Sequence, residues 1–141
     1  MALSIHDNLL VSYEIQCEAR TILLRTEYRV KNQPTEFVNV TFTGVQGYRF
    51  ENDAFGNIIL GLETVPLEQF LAEYGAEISK AYNAAGSPGP WAANLETASR
   101  YLSDNVVVAF ILTSSFGLSG WILAREMSIS SAASGVSVQP T

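Results

Sequence analysis

Histidine is the commonest acid–base side chain at neutral pH, and this chain contains one, His6, beside Asp7. A His–Asp dyad needs both groups on one side of the backbone. Neighbours on an extended strand point to opposite faces, so the adjacency predicts a structural or surface histidine. A serine nucleophile held in an elbow needs Gly-x-Ser-x-Gly between a strand and a helix. Phe116-Gly117-Leu118-Ser119-Gly120 has other spacing and leads into a strand pattern. Cys17, the single cysteine, falls on the apolar face of an alternating segment, which predicts a buried, unreactive thiol. Glu51, Asp53 and Asn57 crowd a turn with Gly56, but the alternating oxygen ligands and terminal bidentate Glu of a calcium loop are missing. The turn therefore reads as an acidic hairpin turn. We find no Cys/His cluster, no phosphate-binding glycine motif and no dinucleotide fingerprint. No catalytic residue, metal site or cofactor is assigned.

Five residues remain as candidate binding groups: His6, Tyr48, Arg49, Asp53 and Trp91. In a shared pocket, Arg49 would clamp a carboxylate or phosphate and Asp53 would act as a base. Trp91 follows Gly86-Ser87-Pro88-Gly89-Pro90, a stiff link between two helical patterns. Tryptophan on such a loop is either a binding anchor or a plug for the end of the core.

The elements that must position these groups are mostly strands. Leu10–Glu18 alternates, with Val11, Tyr13, Ile15 and Cys17 on one side. Ile22, Leu24, Thr26, Tyr28 and Val30 repeat the pattern, with Glu18–Thr21 as the turn between. Val38, Val40 and Phe42 form a third strand, and Gly44 and Gly47 mark a turn or bulge. Tyr48–Glu51 and Ile58–Glu63 are two more strands around the turn at 52–57. Pro66 then opens a helix, with Leu67, Phe70, Leu71, Tyr74, Ile78 and Tyr82 on one stripe and a mostly acidic opposite face. Asn94 caps a short second helix running to about Leu102.

From Asn105 to Ala124 the chain carries no charge, a length that could span a bilayer as a helix. Its apolar blocks are short and split by Thr113–Gly120, and the first is β-branched. Two buried strands with a break at Ser115–Gly117 fit better, with Val107–Leu112 as an internal strand. Ser128–Ser130 prolongs the last strand. The expected fold is α+β, one domain over 1–128, with a mainly antiparallel curved sheet of roughly six to eight strands packed against one long amphipathic helix and one short helix. Residues 129–141 are expected to be a disordered Ser-rich tail.

Composition narrows the partners. The 141 residues are 48% hydrophobic, enough for a core without staples, and the net charge is −6. Eight Lys and Arg, thinly spread, are poor counterparts for phosphate backbones or anionic membranes, so neither nucleic acid nor membrane is expected. The N-terminal residues have no basic region followed by an apolar core, and Asn39-Val40-Thr41, a glycosylation pattern inside a strand, is read as chance. A soluble protein in a reducing, cytoplasmic setting is expected.

Five stretches, 3–8, 47–53, 55–59, 86–91 and 113–121, together resemble a family of small uncharacterised β-rich proteins of plants and bacteria. None is a motif of known chemistry, so the resemblance implies a fold and no catalytic role. In size, acidity and β content the chain also resembles the immunity proteins that neutralise bacterial toxins. The leading expectation is a non-catalytic protein-binding domain acting through acidic and aromatic surface. The alternatives are a small-ligand binder or enzyme with a pocket near His6, Tyr48, Arg49, Asp53 and Trp91, and a homo-oligomeric module using an exposed sheet edge.

Overall fold

The computed structural model describes residues 4–86, Trp91 and 94–132. The order is β1 (Leu9–Gln16), β2 (Thr21–Tyr28), β3 (Glu36–Thr43), β4 (Gly47–Glu51), β5 (Asn57–Val65), α1 (Leu67–Ala84), α2 (Leu95–Asp104), β6 (Val108–Phe116), β7 (Ser119–Ala124) and β8 (Glu126–Ala132). Every strand pairing is antiparallel, in the order β4-β7-β6-β5-β1-β2-β3-β8. The α+β expectation holds, with the long helix α1 and the short helix α2 among the described residues.

The sheet bends back on itself at two corners. One is the β5–β1 junction, where only Leu9↔Ile58 and Leu10↔Asn57 pair. The other joins β3–β4 to β7–β8. Thr43 pairs with Glu126 and Gly47 with Leu123, so Gly44, Val45 and Gln46 oppose only Ala124 and Arg125. That extra residue is a bulge, and bulges bend a strand. Gly44, at φ +63°, supplies the left-handed step, and a Cβ there would press on the Arg125 side chain at 3.0 Å. The ladder survives the bend through Arg125 N–H to Thr43 O (3.1 Å) and Gln46 N–H to Leu123 O (2.7 Å). The pairings therefore close a ring: β1, β2, β3/β4, β8/β7, β6, β5 and back to β1.

Strand alternation fills the ring. Ile22, Leu24, Val38, Val40, Phe42, Ile59, Phe110, Leu112 and Ile122 point inward, with Phe42 edge-on to Phe110 at 5.2 Å. The residues of opposite parity on β6 and β7, namely Ala109, Trp121 and Leu123, face outward. There they are covered by Phe70, Leu71 and Ile78 of α1 and by Ala98 and Leu102 of α2. β6 and β7 are thus apolar on both faces, which explains the uncharged run. Its break lies at Gly117 (φ +92°), with Ser115 and Phe116 still in strand. Among the described residues no helix is long and apolar enough to cross a membrane.

α2 starts at Asn94, whose side-chain oxygen accepts the Thr97 amide at 2.9 Å. β8 continues to Ala132, opposite Phe37, so residues 129–132 are strand; the rest of the Ser-rich tail lies outside the described residues. Residues 87–90 of the Gly/Pro link do as well. Cys17 is a correction. β1 ends at Gln16, so Cys17 leaves the alternating face, enters the turn before β2, and is exposed.

Candidate functional site

The five candidate residues sit in different places. His6 is not on a strand: Asp7 takes φ +66°, and in that loop His6 Nε2 comes within 3.4 Å of Asp7 Oδ2. The pairing disfavoured by strand geometry therefore forms, because the backbone is left-handed there. His6 Nδ1 lies 2.6 Å from the Leu60 carbonyl, which only accepts, so Nδ1 carries the proton. Tyr48 and Arg49 point to opposite faces of β4. Tyr48 stacks toward Phe50 at 5.3 Å, while Arg49 pairs with Glu51 (2.6 Å) and Glu77 (3.8 Å) beside α1. Trp91 is 4% exposed. Its indole N–H donates to Gln46 O (3.1 Å), and its ring packs edge-on to Tyr82 and against Gly47, where an added Cβ would sit 2.7 Å from Cζ2. Trp91 thus plugs the core where α1 meets the β3–β4 bend.

Asp53 anchors a denser arrangement. Its Oδ1 accepts the Phe55 amide and the Asn57 side-chain N–H, both at 2.9 Å, and its Oδ2 accepts the Tyr13 hydroxyl at 2.8 Å. The Asn57 amide, the Phe55 N–H and the Tyr13 hydroxyl hold the Asp53 carboxyl below the usual carboxylate range. The same bond to Asp53, with burial, the Asp53 charge and Tyr48, pushes the Tyr13 phenol up. Both Asp53 oxygens are engaged by hydrogens, which leaves the turn poorly suited to a cation. Among the described residues no group of three or more His, Cys, Asp or Glu is arranged to hold a metal ion.

Asn57 is buried and works in both directions. Its oxygen accepts the amides of Ala54 and Leu118, each at 2.9 Å, tying the β4–β5 turn to the β6–β7 turn. This frame presents two aromatic rings to solvent. Phe55 is 96% exposed with φ +64°, and Phe116, opposite Ile58 on β6, is 57% exposed. A bulky residue in the left-handed region is uncommon, and such strain persists only where the surroundings impose it. The sequence between Arg49 and Lys80, and between Arg100 and Arg125, contains no Lys or Arg; Glu51 pairs with Arg49, whereas Asp53 makes no ion pair among the described residues.

A cleft opens at the β1–β4 corner. The last residues of β1 and the first of β4 approach without a ladder, and Tyr13 meets Phe50 edge-on at 5.4 Å across the gap. The cavity is about 290 Å³ and is lined in part by Ile22, Val45, Cys17, Arg20, Tyr48 and Tyr82. A second cleft of about 210 Å³ lies between α1 and β4–β7, with Arg49, Glu51, Tyr74 and Glu77 at its edge. Each of these two clefts takes one of the five candidates, Tyr48 and Arg49 respectively. Burial and the Tyr48 phenol push Tyr82 up; burial and the Glu73 carboxylate push Tyr74 up.

Phe55 was legible as an apolar residue inside the polar turn Asp53–Asn57. Tyr13, Arg20 and Tyr82 had no local signal, because only the folded corner brings them near β4. No family model matches the chain, and no curated protein or solved structure matches it either.

Proposed function

We propose that this protein is a non-catalytic binding domain that docks another protein through the Phe55–Phe116 tip. One observation carries the proposal: a nearly fully exposed phenylalanine at φ +64°, held by the Asp53–Asn57 frame rather than by burial of its own ring. An aromatic ring presented on a rigid frame loses little side-chain freedom on binding, and aromatic anchors dominate interface energetics. The Asp53 carboxylate beside it and the net charge of −6 favour a partner whose apolar pocket has a basic rim. The resemblance to toxin-immunity proteins, themselves acidic binders of other proteins, points the same way, and a reducing cytoplasmic setting accords with a lone thiol.

The scatter of His6, Tyr48, Arg49, Asp53 and Trp91 gives the alternative pocket no common wall. The test uses the full chain as bait in a lysate of its source, beside Phe55→Ala and Phe116→Ala. The expected result is a partner held by the native chain, weakened by salt, and lost with either substitution. Recovery of no partner at any salt, or equal recovery by all three baits, would overturn the proposal.

A further inference from the structure

The β1–β4 cleft has a chemistry distinct from that of the acidic tip. Its floor includes the buried Ile22 and Val45, and two phenol rings, Tyr48 from β4 and Tyr82 from α1, stand at its walls. Arg20, on the β1–β2 turn at φ +55°, reaches it while giving one N–H to the Val45 carbonyl at 3.4 Å. Arg20 forms no ion pair among the described residues, whereas Arg25, Arg29, Arg49 and Arg100 each pair with a glutamate. The two glutamines at the rim are engaged: Gln16 donates to Glu14, and Gln46 accepts from Tyr101. The Tyr48 and Tyr82 hydroxyls make no hydrogen bond among the described residues. Among the described residues no Asp or Glu lines the cleft. In an acidic protein, a carboxylate-free cleft with a guanidinium and two phenol donors selects an anion.

From this geometry we propose that the β1–β4 cleft binds a small aromatic carboxylate, its ring against Tyr48 and Tyr82 and its carboxylate on Arg20. The forked donors of arginine match a planar carboxylate, and the apolar floor takes a ring and rejects a solvated ion such as chloride. The cavity stands at the small end of ligand pockets, which run from about 300 Å³ upward, so the site suits a single ring. Tyr82 remains a protonated donor at neutral pH, since burial and Tyr48 push its phenol up.

Cys17, the single cysteine of the chain, lines this cleft and is exposed, so it reports occupancy without an engineered label. The experiment measures the rate of Cys17 alkylation by iodoacetamide in the native chain against rising benzoate, benzamide and acetate. Benzoate is expected to slow alkylation saturably, while benzamide, which has the ring without the charge, and acetate, which has the charge without the ring, protect only at far higher concentration. Arg20→Gln is expected to weaken benzoate protection about tenfold or more, the scale of a lost charge-assisted pair. Three results would each overturn the proposal: no protection by benzoate, equal protection by benzamide, or protection undiminished in Arg20→Gln. The measurement on the native chain stands whether or not the variant folds, and none of its outcomes depends on the Phe55 tip.

Discussion

The side-chain oxygen of Asn57 accepts the backbone N–H of Leu118 at 2.9 Å, joining two turns that lie 61 residues apart in sequence. Asn57→Ala removes that acceptor together with the one for Ala54 N–H and the donor to Asp53. A buried N–H left without a partner costs about 1–3 kcal/mol. We expect Asn57→Ala to lower unfolding stability by about 2 kcal/mol or more, read as a shift in urea midpoint at unchanged slope. A change below experimental error would mean that water replaces the bonds.

Gly117 sits against the same oxygen. An added Cβ would lie 2.1 Å from Asn57 Oδ1, and φ is +92°. Gly117→Ala is therefore expected to cost about 1–3 kcal/mol for the backbone alone, plus the clash. In an Asn57→Ala background the clash with Oδ1 disappears, leaving the 3.1 Å approach to the backbone Cα of residue 57. The double variant should then be more stable than the sum of the two single losses predicts, by about 1 kcal/mol. Strict additivity, measured by denaturant unfolding of all four proteins, would count against this coupling.

Asp53 gives the fold an acid limb. Its folded-state pKa is depressed, so its contribution is present above the unfolded value of about 4 and is lost as pH falls below that through the folded value. Asp53→Asn should be less stable than the native chain at neutral pH. The difference should close as pH falls below about 4, where the native carboxyl also becomes neutral. Thermal unfolding of both proteins across that range checks this, and a difference independent of pH would contradict it.

Two glycines separate flexible from rigid neighbours. A Cβ on Gly75 of α1 would meet the tip of Leu95, a side chain 46% exposed and free to turn outward. Gly75→Ala should gain helix propensity and change stability by no more than about 1 kcal/mol, in the stabilising direction. A Cβ on Gly120 would lie 1.9 Å from the Arg49 carbonyl, where only β4 itself can give way. Gly120→Ala should cost about 3 kcal/mol or more. Equal effects of the two substitutions in a chemical melt would show that steric space does not set the difference.

Much of the local structure could be read from residue order. Period-two alternation located β2 and β3, Pro66 and the apolar stripe located α1, and Asn94 located the cap of α2. These signals are local, because a strand or helix declares which face it buries within a few residues. β1 was read less well. A bulge between Leu10 and Ser12 turns Leu10 inward and leaves Val11 exposed, and the strand ends before Cys17. This bulge is set by pairing with β2 and, unlike the one at Gly44, carries no glycine to mark it.

The sequence by itself determined most of the elements, the burial of two strands within the Val107–Ala124 region and the net negative charge, though not the strand at 129–132. Only the tertiary structure decided that the sheet closes through the Gly44 bend, that Asn57 unites two turns, and that Arg20, Tyr48 and Tyr82 share one cleft. The physical reason lies in the range of the forces. Propensity and periodicity act over a few residues, whereas the cleft and the Phe55 frame exist only after β1, β4, β5 and β7 have been brought together by burial of a common core.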